Sequence, residues 1–105
     1  MQTRKMEPKG YILGGEIYSG WLTHWGENWA GKTVQEYTKE FDFLMSNNHS
    51  FSMYMAHGGS NFGLWAGANG VDNKPFDYGA HITSYDYDAP INEQGSPNQK
   101  YHLFR

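Results

Sequence analysis

Cysteine is absent from the 105 residues. Neither a disulfide nor a thiolate metal site can form, and the redox compartment stays open, because reducing and oxidising surroundings would both tolerate such a chain. No run approaches the roughly eighteen apolar residues of a membrane span, and no apolar h-region follows Met1-Gln2-Thr3-Arg4-Lys5. Neither an anchor nor a targeting segment is expected within these residues. Charge is sparse as well: 18% of residues are charged, the net charge is −3 and the basic residues are scattered. That pattern offers no surface to nucleic acid or to an anionic membrane. The length allows one domain at most, or a piece of one.

What the sequence has instead is aromatic rings and glycine: four Trp, eight Tyr, six Phe and thirteen Gly. A buried ring is ordinarily core, since each covers a large apolar area. Rings in glycine-rich loops suit a second use, because the apolar face of a sugar stacks on Tyr and Trp while its hydroxyls need polar partners.

Pro8 and Gly15 bracket Gly10-Tyr11-Ile12-Leu13-Gly14, which predicts a short strand with Glu16 where it ends. A loop rich in Gly and Trp follows, from Tyr18 to Lys32. Thr33-Val34-Gln35-Glu36 then reads as a capping box opening a helix from about Thr33 to Asn47. Val34, Tyr37, Phe41, Leu44 and Met45 fall on one face of that helix, and Phe43 breaks the pattern. Phe51-Ser52-Met53-Tyr54-Met55 alternates as a strand does, over about Ser50 to Met55. Strand, helix and strand make one βαβ unit, whose strands lie parallel and adjacent. Glu16 and Tyr54 are therefore expected to meet at the C-terminal rim, where parallel α/β folds gather their chemistry.

From His57 through Gly79 runs a glycine-rich stretch too long for a mere connector. With Phe62, Trp65, Phe76 and Tyr78, and with Tyr85 and Tyr87 just beyond, it is too aromatic for disorder.

Three segments, in this order, resemble glycoside hydrolase family 35, the β-galactosidase family. Gly15-Glu16-Ile17-Tyr18-Ser19-Gly20-Trp21-Leu22, with His24-Trp25-Gly26, resembles its nucleophile segment. Tyr54-Met55-Ala56-His57-Gly58-Gly59-Ser60-Asn61-Phe62-Gly63 resembles its eighth-strand segment, and Thr83-Ser84-Tyr85-Asp86-Tyr87-Asp88-Ala89-Pro90 its aromatic turn beside the sugar. The resemblance runs from Arg4 to Arg105. It implies that residues 1–105 are part of a catalytic domain of α/β class, a fragment of a (β/α)8 TIM barrel comprising about strand 7, helix 7, strand 8 and the following loop. It further implies retaining hydrolysis of terminal β-galactosides, with Glu16 as nucleophile and Tyr18, Tyr54 and Tyr87 at the substrate, joined by Trp21 and Tyr85 in the pocket wall. The implied partner is a β-galactoside carbohydrate, with no cofactor and no metal. Members of the family are commonly lysosomal, vacuolar or secreted.

The family's general acid is a Glu that follows an Asn near the end of the fourth barrel strand. Asn92-Glu93 lies instead in a turn after Ala89-Pro90, downstream of Glu16. The acid and the remaining strands are thus expected outside these residues, and the isolated chain is expected to be inactive.

Taken without the family, Glu16 reads as a surface carboxylate after a strand. Glu27 reads as a solvated loop charge, and Glu7, Glu36 and Glu40 as surface, cap and helix charges. His24 and His57 have no second ligand at metal spacing. Asp86 and Asp88 read as turn formers rather than calcium ligands, and Gly58-Gly59-Ser60-Asn61 lacks the lysine of a phosphate loop. Two other functions fit the residues: a non-catalytic galactose-binding module, and an inactive truncated remnant.

Overall fold

A computed structural model of the chain describes residues 5–70 and 78–105. Arg4 and Phe76 lie outside the described residues. The elements follow the order β1 (Leu13–Tyr18), α1 (Val34–Ser46), β2 (Ser50–Tyr54), β3 (Ala68–Gly70), β4 (Tyr78–Ala80) and α2 (Gln99–Phe104). The chain is thus of mixed strand and helix class.

Helix α1 begins where the capping box places it. Thr33 Oγ1 accepts from the Glu36 N–H at 3.2 Å, and the Glu36 carboxylate accepts from the Thr33 N–H at 2.9 Å. Asn47 caps the other end. Tyr37, Phe41 and Leu44 are buried, and Ile17, Phe51 and Met53 pack against them, so the helix covers one face of the β1–β2 pair. Met45 departs from the predicted face: it is 66% exposed, because the buried stripe continues from Phe41 through Leu44 and leaves the next residue to the side. In β2 the expected alternation holds, with Phe51 and Met53 half-buried while Ser52 and Tyr54 are exposed.

Strands β1 and β2 are parallel neighbours, which the βαβ order predicted. β1 itself lies further along the chain than Gly10 to Gly14. Its ladder starts at Leu13 opposite Ser50 and runs to Tyr18 opposite Tyr54, while Tyr11 stays fully exposed. Gly14 and Gly15 do not stop the strand: Gly14 pairs with Phe51, and Gly15 is absorbed with Glu16 into a local irregularity of the pairing.

The long glycine-rich stretch holds an antiparallel pair that the sequence did not suggest, β3 with β4. Each strand has three residues and no apolar alternation, so the usual signal is missing. His24 bridges to His81 beside this pair, and the Trp25 N–H donates to the Ala80 carbonyl at 2.9 Å. The loop after β1 is thereby fastened to the loop after β2.

A second core cluster, Leu22, Tyr87 and Ala89 with Met55 and Tyr85 against it, lies between those loops.

Candidate functional site

Pairing in β1 is interrupted after Gly14, which faces Phe51. The next pairs are Ile17 with Met53 and Tyr18 with Tyr54, so Gly15 and Glu16 together oppose Ser52. One extra residue on one strand is a β-bulge, which bends that strand and re-aims its side chains. Ile17 packs against the helix core while Glu16 stays exposed at the rim. Glu16 is therefore inside β1 rather than after it, two residues before the end, and the bulge is what presents it.

Tyr18 lies two residues on. Its hydroxyl donates to Glu16 Oε2 at 2.7 Å, and this bond to the carboxylate is the main reason its pKa stands above the ordinary phenol value. The Tyr18 ring meets Trp21 edge-on at 5.7 Å between centroids and Tyr54 at 6.3 Å. Tyr87 closes the group, 6.0 Å from Trp21 and 5.5 Å from Tyr54, and Tyr85 stacks on it at 5.6 Å with an interplanar angle of 23°. The Tyr54 and Tyr85 hydroxyls are 3.4 Å apart. All six residues singled out in the sequence thus form one connected group across seventy residues of chain. Phe62, Trp65 and Tyr78, the other described rings of the long loop, are exposed and make no ring contact with it.

Burial raises the pKa of Tyr85 to about 12, helped by its bond to Tyr54, and raises Tyr87 further, helped by the neighbouring phenols and Glu16. The Tyr87 hydroxyl is buried and finds no hydrogen-bond partner among the described residues. The group offers one carboxylate and several neutral phenols, a set that can attack or bind an electrophile at Glu16 while donating and accepting hydrogen bonds around it.

A cavity of about 480 Å3 shares Trp21 and Tyr87 with this group and is lined further by Trp29, Lys32, Ser84 and Asp86, but Glu16, Tyr18 and Tyr54 do not border it. The tyrosines meet beside that cavity rather than inside it.

Two glycines allow the loops to close on the tyrosines. A Cβ placed on Gly20 would run into the carbonyl oxygen of Tyr87, and one placed on Gly58 into that of Tyr85. The Ser19 hydroxyl, fully buried, donates to the Met55 carbonyl at 2.6 Å and ties the end of β1 to the end of β2. Sequence reasoning missed Ser19, Lys32 and Lys100, whose polar groups hold these loops together, since nothing in their spacing sets them apart from solvated side chains.

Glu27 is not a free loop charge. Its carboxylate accepts from the His24 N–H at 3.0 Å and lies 2.8 Å from His24 Nδ1, and these bonds lower its pKa. Glu93 accepts from the Ser60 and Ser84 hydroxyls, and its N–H donates to Asp86 at 2.7 Å, so it staples three loop segments. Asp88 accepts from the Lys32 N–H at 2.9 Å and does turn the chain, with Tyr87 and Asp88 both at positive φ. Among the described residues no group of three or more His, Cys, Asp or Glu gathers in a way that would hold a metal ion.

The family model described as glycosyl hydrolases family 35 matches residues 1–105. The chain is 49% identical over 98 residues to Beta-galactosidase 8 of Oryza sativa subsp. japonica, an alignment covering 92% of this chain and 14% of the relative. It is 38% identical over 105 residues to Beta-galactosidase of Homo sapiens, covering 100% of this chain and 15% of the relative. Beta-galactosidase 17 of Arabidopsis thaliana is 50% identical over 84 residues, 79% of this chain and 12% of the relative. The chain therefore spans a small part of the length of the proteins it matches.

Proposed function

Because the chain belongs to glycosyl hydrolases family 35, we propose that it supplies the nucleophile of a retaining β-galactosidase, and that Glu16 is that nucleophile. The observation that carries the reading is the pairing of Glu16 with Tyr18 at 2.7 Å on a bulged strand whose end pairs with Tyr54. A nucleophilic carboxylate has to be held in place close to the sugar, and a phenol that donates to it fixes its orientation. Glu16 would attack the anomeric carbon to form a galactosyl ester while the glycosidic oxygen leaves with a proton from a second carboxylic acid. Water, deprotonated by that same group, would then cleave the ester.

The second carboxyl has to sit about 5–5.5 Å from the first. Glu93, the glutamate that follows an asparagine, is engaged by Ser60 and Ser84. We place the acid and base elsewhere in a longer protein, and with it the rest of a (β/α)8 barrel in which β1, α1 and β2 serve as strand 7, helix 7 and strand 8. The partners of Glu16 in this reading are Tyr18, Tyr54 and Tyr87 around a β-galactoside, with Trp21 and Tyr85 behind them.

Trapping tests the assignment directly. A 2-deoxy-2-fluoro β-galactoside with a good leaving group, added to the full-length enzyme, should leave a covalent sugar on the peptide containing Glu16, read by mass spectrometry after digestion. A label on a different carboxylate would remove Glu16 from the role.

A further inference from the structure

Lys100 is the charged side chain that is buried among the described residues, at 3% exposure, although it sits on the six-residue helix α2 far from β1 in sequence. Its Nζ donates to the Ser19 carbonyl at 3.0 Å, the Asp88 carbonyl at 2.8 Å and Asp88 Oδ2 at 2.5 Å. An ammonium has three donors, and here each has an acceptor. A buried charge is tolerated when it is paired in this way.

The positions of those acceptors give the lysine its significance. Ser19 directly follows Tyr18 at the end of β1, and Asp88 directly follows Tyr87. One ammonium therefore ties together the two points of the chain that carry the Glu16–Tyr18 pair and the Tyr87 ring. Tyr87 and Asp88 have φ of 62° and 51°, in the left-handed region that a bulky side chain enters at a cost. Such a turn persists when its surroundings over-determine it, and Lys100 supplies much of that determination by holding both the carbonyl and the carboxylate of Asp88. Lys32 works alongside: its N–H donates to Asp88 Oδ2 at 2.9 Å and its Nζ to the Tyr18 carbonyl at 2.8 Å.

We propose that Lys100 is a positioning residue for the Glu16 site, holding the Tyr87 ring against Tyr54 and Trp21 without itself touching the substrate. The proposal rests on the reading of Glu16 as nucleophile for its effect on turnover, but not for its effect on Tyr87.

A double-mutant cycle in the full-length enzyme tests it, with Lys100→Met, Tyr87→Ala and the pair measured on an aryl β-galactoside below the melting temperature of each variant. Misplacing a contact by about 1 Å costs on the order of 100-fold, so Lys100→Met should lower kcat/KM by about that factor in folded enzyme. In the Tyr87→Ala background, where the ring is gone, the same change should add less than about threefold, because coupled residues are non-additive. Two results overturn the proposal: losses that multiply, and a folded Lys100→Met enzyme with normal kcat/KM. Should Lys100→Met fail to fold, Asp88→Asn takes its place in the cycle, because it removes the ion pair and keeps both carbonyl acceptors. The 19F resonance of 3-fluorotyrosine at position 87 gives a reading free of activity. It should shift or broaden in Lys100→Met, or in Asp88→Asn where that variant stands in, and an unchanged resonance overturns the proposal whatever the site hydrolyses. A wild-type enzyme inert to β-galactosides with a shifted 19F resonance would instead mark the functional reading as the part that fails.

Discussion

Tyr18 reaches back two positions along its own strand to hold the Glu16 carboxylate at 2.7 Å. Residues i and i+2 share a face of a strand, so the bond needs no other element, and the carboxylate arrives at the rim with its donor already attached.

Replacing Glu16 by Gln in the full-length enzyme should abolish hydrolysis with little change in melting temperature. An amide keeps the volume and can still accept from Tyr18, but it cannot attack carbon, and losses for removed nucleophiles reach a thousandfold or more, roughly. In Glu16→Gly, which empties that space, added azide should restore turnover and give a glycosyl azide of inverted configuration, since a small anion would attack from the vacated face. Near-normal kcat in Glu16→Gln would show the nucleophile to be misassigned.

The same variant should lower the pKa of Tyr18. Its elevation comes first from the hydrogen bond to the carboxylate, and a neutral amide accepts more weakly. Following 13C-labelled tyrosine by NMR against pH would resolve this; a Tyr18 titration identical in both proteins would mean that Glu16 does not hold the phenol in solution.

Glu27→Gln should leave most of the activity and remove a small contribution to stability at neutral pH. Bonds from His24 depress the folded pKa of Glu27. Its contribution is therefore present above the unfolded value near 4.5 and is lost as the pH falls through the lower folded value. Urea midpoints at pH 7 should drop slightly in the variant and converge with wild type toward pH 3; equal curves at every pH would refute the linkage.

Tyr37→Phe should stabilise. The Tyr37 hydroxyl is buried without a partner among the described residues, and burial pushes its pKa up to about 12. A phenol raised above its unfolded value of 10.0 contributes fully below that pH and loses the contribution as the pH rises toward 12. Removing an unsatisfied hydroxyl should add about 1 kcal/mol at pH 7 and move alkaline unfolding to higher pH. Denaturant titrations at pH 7 and pH 11 would check both, and a loss of stability at pH 7 would mean that the hydroxyl has a partner after all.

Thr33→Ala should cost about 1 kcal/mol, because it removes the side-chain acceptor of the capping box. Thr33→Ser should cost far less, and equal losses in the two variants would show that the hydroxyl is not the cause.

Periodic signals were the legible part of this fold. The capping box at Thr33 and Glu36 and the stripe Tyr37, Phe41, Leu44 located α1, and the alternation from Phe51 to Tyr54 located β2. Their order gave the parallel pairing. The bulge at Gly15 and Glu16 was not legible, because two glycines in a row read as an end when neighbouring backbone makes them an irregularity within the ladder. The β3–β4 pair was hidden for want of alternation, and Met45 was put on the wrong face by a spacing of one residue. The grouping of Glu16 with the tyrosines came from the family resemblance and from the adjacency of strand ends. Lys100 was invisible, since a lysine in a short helix looks like any solvated charge until the chain that buries it is in place.

Gly20 and Gly58 put that arrangement under a constraint of heredity rather than of chemistry. Each lies against the backbone carbonyl of a site tyrosine, and a carbonyl cannot swing aside as a side-chain tip can. No codon change at either position is mild, for even alanine brings the one atom that has no room. Gly15, by contrast, has open space where its Cβ would go. Sequence drift in this segment is therefore expected to be tolerated more readily at Gly15, beside Glu16, than at Gly20 or Gly58.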